Sequence, residues 1–142
     1  MNTITTAFLT LIFLLASSVA VACPDLAGAF VCTTPEGKED IVVSQRVENN
    51  ITVYKINNDE YLADGLAKPI NEDDMKGSYI VSCVADRVKL VADVTAVDNS
   101  YKGHQETAIY RTATGLKQES KLSIIADGKT ESFDLSVECM SK

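Results

Sequence analysis

The sequence predicts an all-β fold: a single-domain antiparallel up-and-down β-barrel of eight or nine strands, with a two-sheet sandwich as the alternative. Apolar and polar residues alternate over short runs, as in Val88, Leu90, Ala92, Val94 and Ala96 against Arg87, Lys89, Asp93 and Thr95. Clusters of Pro, Gly, Asn and Asp separate those runs at short intervals, and no segment keeps a helical period for three turns. Four cysteines, all placed after an apolar leader, suit a small exported domain tied by two disulfides.

Residues 1–22 carry no charged side chain, and 8–22 are almost wholly apolar. That run of about 15 residues is shorter than the roughly 20 that span a bilayer. It ends in Ala20-Val21-Ala22, the small-x-small pattern accepted by signal peptidase. A cleaved signal peptide over 1–22 and a barrel domain over 23–142 are therefore expected, in a secreted or periplasmic protein. The stretch Ala20-Val21-Ala22-Cys23 also resembles a loose bacterial lipobox, in which Cys23 would be a lipid anchor. An even cysteine count favours disulfides instead.

Strand one is expected at 27–33, ending in the turn Thr34-Pro35-Glu36-Gly37. Strand two, 39–47, sets Ile41, Val43 and Val47 on one face, with Gln45 among them, and Asn49-Asn50 reverses the chain. Strand three is 51–56. A polar turn at 57–59 leads into 61–67, which Asp64-Gly65 interrupts as a bulge or hairpin. Pro69 closes this region, and 71–77 reads as an acidic loop or one helical turn. Strands follow at 78–85, 87–96, 105–112 and 116–126. Asp127-Gly128 is a strong hairpin signal, and the last strand puts Phe133, Leu135, Val137 and Cys139 on one face.

Of the three pairings open to Cys23, Cys32, Cys83 and Cys139, the expected one joins Cys23 to Cys32 and Cys83 to Cys139. The first closes a short loop that Pro24 and Gly28 can turn; the second ties the last strand to the middle of the chain. Pairing of Cys23 with Cys139 is the main rival. A zinc site is disfavoured, because there is no C-x-x-C pair and His104 is the one histidine.

Leu26-Ala27-Gly28-Ala29-Phe30 resembles the start of lipocalin-type and avidin-type barrels, where Gly-x-Trp opens the first strand and its ring plugs one barrel end. Here Phe30 replaces the tryptophan, and the late basic residue that lipocalins stack on that ring has no assigned counterpart. The resemblance implies a lipocalin-like barrel. Phe30-Val31-Cys32 is also similar to the aromatic-x-Cys strand of small periplasmic lysozyme inhibitors, whose characteristic Ser-Gly-containing loop is absent here, Gly77-Ser78-Tyr79 being a faint echo of it.

A net charge of −7 from 13 basic and 20 acidic residues, without a basic cluster, argues against nucleic acid and against anionic lipid surfaces. No serine lies in a G-x-S-x-G elbow, and His104 follows Lys102-Gly103 in an expected loop, so no catalytic group is assigned and the chain is read as a non-enzyme. Asp59, Glu60, Asp64, Glu72, Asp73 and Asp74 lack calcium-loop spacing and read as a solvated face. Asn50-Ile51-Thr52 is a glycosylation sequon that matters in a eukaryotic source alone. No cofactor is expected.

Polar side chains fall on otherwise apolar strand faces at Gln45, Gln118 and Ser120, and Tyr54, Tyr79 and Tyr110 combine apolar area with a hydroxyl. Buried polar groups need partners, so these six are candidate lining residues of a wet cavity. The expected function is binding of a small apolar or amphipathic ligand. The alternative is a protein-binding module, such as an inhibitor of an extracytoplasmic hydrolase.

Overall fold

The computed structural model of the protein describes residues 22–142; the signal peptide expected over 1–22 lies, except for its last residue, outside the described residues. Ten strands and no helix are formed among them: β1 (Gly28–Thr34), β2 (Gly37–Glu48), β3 (Ile51–Ile56), β4 (Asp59–Leu62), β5 (Lys68–Asn71), β6 (Met75–Val84), β7 (Arg87–Ala96), β8 (Tyr101–Arg111), β9 (Gly115–Ala126) and β10 (Lys129–Ser141). All belong to one antiparallel sheet, curled into a half-barrel, in the order β4-β3-β2-β1-β10-β9-β8-β7-β6-β5. The first and last strands pair at the centre of the sheet. Its two edges, β4 and β5, are consecutive in the chain, and Gly65 N–H in their connection donates to the Val81 carbonyl at 3.0 Å.

The hairpins follow the local chemistry. Asn49 and Asn50 both take positive φ (51° and 65°), as do Asp127 and Gly128 (50° and 72°), the backbone of a tight two-residue turn that asparagine and glycine tolerate best. The expected strand at 61–67 is instead the end of β4 and the connection after it, and β5 begins at Lys68. Pro69 lies within β5, opposite Ser78, because an edge strand has no need of the N–H that proline lacks. The acidic stretch 71–77 is no helical turn: Glu72 N–H donates to the Met75 carbonyl and closes a β5–β6 hairpin. Gly103 and His104, expected in a loop, lie within β8. Gly77-Ser78-Tyr79 is the middle of β6 and makes no loop.

The cysteine pairing also differs from expectation. Cys23 bonds Cys83, and Cys32 bonds Cys139. Pairing of β1 with β10 sets Cys32 directly opposite Cys139, with 3.8 Å between their Cα atoms, so the bond to Cys23 or Cys83 is pre-empted. Adjacency of first and last strands is a long-range fact. The short Cys23–Cys32 loop, plausible locally, ignores it.

The core lies on the concave face of the lower half-barrel, where Phe30, Val43, Tyr54, Val81, Val88 and Leu116 are buried together with the Cys32–Cys139 disulfide. Strands β9 and β10 are longer than β1 and run past the β1–β2 hairpin, so β10 before Val137 is exposed on both faces.

Candidate ligand cavity

The site is built on the segment that precedes β1. Residues 23–27 have no regular structure, and they cross the lower end of the half-barrel as a strap with four anchors. Cys23 is bonded to β6 through Cys83. The Tyr54 hydroxyl on β3 donates to the Pro24 carbonyl at 2.7 Å, and Leu26 N–H donates to Oε1 of Gln45 on β2 at 3.1 Å. From β8, Arg111 donates Nε to the Asp25 carbonyl (3.2 Å) and Nη2 to the Ala27 carbonyl (2.6 Å). The strap therefore ties β2 and β3 to β6 and β8 across the opening. Its Leu26 side chain, 2% exposed, points inward.

Above the strap is a cavity of about 450 Å³. Its wall is mainly apolar: Leu26, Ile41, Val43, Ile56, Val81, Val88, Leu90, Ile109, Leu116 and Val137, with the Cys32–Cys139 disulfide and the rings of Tyr54 and Tyr61. Register explains this set. Leu90 and Val88 stand opposite Thr107 and Ile109, which stand opposite Ser120 and Gln118, so a single parity faces inward across three strands.

One polar strip interrupts the apolar wall. Gln105 Nε2 donates to Thr107 Oγ1 (2.9 Å), Thr107 and Ser120 share a hydroxyl hydrogen bond (2.9 Å), and Gln118 Nε2 donates to Ser120 Oγ (3.3 Å). Thr107 and Ser120 are buried and satisfy one another. The two glutamines are half-buried and line the cavity, and their carbonyl oxygens have no protein donor among the described residues. Glu39 and Lys117 also line the volume.

Five of the six residues expected to line a cavity have the inward parity, and Tyr110 has the outward one. Tyr54 and Gln118 line the cavity, and Ser120 bonds the lining Thr107. Gln45 holds the strap. Tyr79 packs against the core, its ring edge-on to Tyr61 with centroids 6.4 Å apart. Tyr110 is on the convex face, where its hydroxyl donates to Glu119 and Arg87 lies over its ring at 4.1 Å. The sequence does not single out Gln105 and Thr107, because Gln105, Thr107 and Ile109 on one face and Glu106, Ala108 and Tyr110 on the other both mix polar and apolar residues. The register with Leu90 and Ser120 sets the former face inward. Arg111 gave no local signal, since the strap it holds and Phe30, whose ring lies 5.4 Å from its guanidinium, are distant in sequence.

Burial pushes the Tyr54 hydroxyl up to about 12, and the neighbouring Asp25 charge adds to the shift. Burial also raises Tyr61. On the convex face, His104 lies between Asp93 (Nδ1 to Oδ1, 2.7 Å) and Glu106 (Nε2 to Oε1, 3.5 Å), which favour its protonated form and raise its pKa. It is exposed and outside the cavity. Asp64, from the acidic set, pairs with Lys68, and Glu60 accepts from Arg46. Among the described residues, no group of three or more His, Cys, Asp or Glu could hold a metal ion.

No protein-family model matches this chain, and no curated protein or solved structure does.

Proposed function

We propose that this is an exported, non-catalytic binding protein whose half-barrel holds a small amphipathic molecule. The observation that carries the reading is an apolar cavity of about 450 Å³, within the size range of small-molecule sites, crossed by a single polar strip. An apolar ligand body would replace water against Ile41, Leu90, Ile109 and Val137. A hydroxyl or amide on it would donate to the open carbonyl oxygens of Gln105 and Gln118. The lipocalin-like beginning is supported by Arg111 over Phe30, a basic side chain stacked on the first-strand ring. Two disulfides are compatible with an extracellular or periplasmic location. The Cys23 sulfur, bonded to Cys83, is not free to carry a lipid thioether, which supports the unanchored form.

Incubating the purified protein with a lipid extract, followed by native mass spectrometry and thermal melting, tests the proposal. A retained neutral mass and a raised Tm are expected. Leu90→Trp, which fills the cavity, should abolish both effects while leaving the far-ultraviolet spectrum intact. If the native protein retains nothing and its Tm does not move with any extract fraction, the cavity is not a ligand site.

A further inference from the structure

We propose that two copies of this chain pair along the upper half of β10, antiparallel about a two-fold axis at Phe133. Strand β1 pairs with β10 from Glu138 to Ser141 and its last residue, Thr34, falls beside Val137, so residues 129–136 have no strand on the side away from β9 among the described residues. Backbone parity is fixed by two bonds: Ser141 N–H donates to Thr114, on the β9 side, and Lys142 N–H donates to Ala29, on the β1 side. Even-numbered residues thus aim their N–H and C=O groups at the open edge, at Thr130, Ser132, Asp134 and Ser136. The stretch contains no proline or bulge, the usual means of blunting such an edge, and it exposes Phe133 (44%) and Leu135 (55%).

The occupant is argued from self-complementarity. A two-fold axis perpendicular to the sheet keeps both concave faces on one side, so only residues of equal parity can stand opposite each other. Centred on Phe133, the register sets the two phenyl rings in a closely spaced non-hydrogen-bonded pair. It also sets Ser132 opposite the partner's Asp134, and Thr130 opposite the partner's Ser136, each twice. These are the residues whose backbone groups face the edge, and together they supply about eight inter-chain backbone hydrogen bonds. Glu131 meets Leu135, and no like charges are opposed. Centring on Glu131 or on Asp134 instead sets carboxylates against each other. Centring on Ser132 sets each phenyl ring opposite Glu131. The overlap also fits the notch, which ends at the β1–β2 turn on one side and at the Asp127-Gly128 turn on the other.

Sedimentation equilibrium of the full mature chain across a dilution series should give a reversible dimer. Ser132→Asp opposes two pairs of like charges in this register and should weaken the dimer about tenfold, whereas Ser132→Lys, facing Asp134, should keep or tighten it. Under mild oxidation, Phe133→Cys should give a covalent dimer and Ser132→Cys should not, because only the former pair is close enough for an S–S bond. A monomer even at millimolar protein, with or without the β10 amides protected by another segment, overturns the proposal. A dimer weakened equally by Ser132→Asp and Ser132→Lys, or by neither, overturns it as well.

Discussion

Tyr54 joins the two parts of the site, its ring in the cavity wall and its hydroxyl on the strap at Pro24. Since burial pushes this group up to about 12 from 10.0, its neutral form belongs to the folded state. The associated stability is fully present below pH 10 and is lost as pH rises from 10 towards 12, because the unfolded chain releases the proton first. Burial raises both Tyr54 and Tyr61, so a phenolate absorbance titration should show two tyrosines ionising late. Tyr54→Phe removes the donor to Pro24 and should cost about 1 kcal/mol in denaturant melts. The same variant should lose one of the two late-ionising equivalents; an unchanged late amplitude would assign both to other residues. Tyr54 stood out as a candidate through its residue type, apolar area with a hydroxyl, while the inward face of its strand, apolar on both sides, was not legible. Tyr110 was misread, as the phase of its strand is ambiguous when Gly103 and His104 look like loop.

At the level of elements, the turns were the most readable feature. Strands β3 and β7 have the bounds their sequences suggest, since Asn49-Asn50 and Asn57-Asn58 bracket the first, and the Ala85-Asp86 turn precedes the clear alternation of the second. The strap and the cysteine pairing were not readable, because both depend on which distant strands become neighbours. The two disulfides close loops of 60 and 107 residues, so each constrains the unfolded chain by about 4 to 5 kcal/mol in the chain-entropy account. Their native roles differ. Replacing Cys32 and Cys139 with serine cuts the centre of the sheet and should cost about 2–5 kcal/mol, measured as a fall in denaturant midpoint. Replacing Cys23 and Cys83 frees one anchor of the strap. That pair should lower ligand affinity in addition to stability, with the strap amides exchanging faster than those of β7 and β8.

For the molecule as a whole, alternation and turn spacing led correctly to an antiparallel meander, and the curled sheet of ten strands is its outcome. What alternation could not give was that the sheet stays open between β4 and β5; the meeting of β1 with β10 is what closure of an up-and-down barrel implies. That meeting has a consequence for how the protein is made. The strands synthesised first and last are partners, so the middle of the sheet cannot be zipped until the final residues are free to pair. Until then the β1 edge is an open template, and the long contact separation slows closure. Moving the chain ends relieves this. A permutant opened within residues 63–67, with Lys142 joined to Cys23 by a short flexible linker, would have its ends at the sheet edges and β1 following β10 directly. It should refold faster than the natural order in stopped-flow experiments while melting at a similar temperature. An equal or slower rate would show that joining β1 to β10 is not the step that limits assembly.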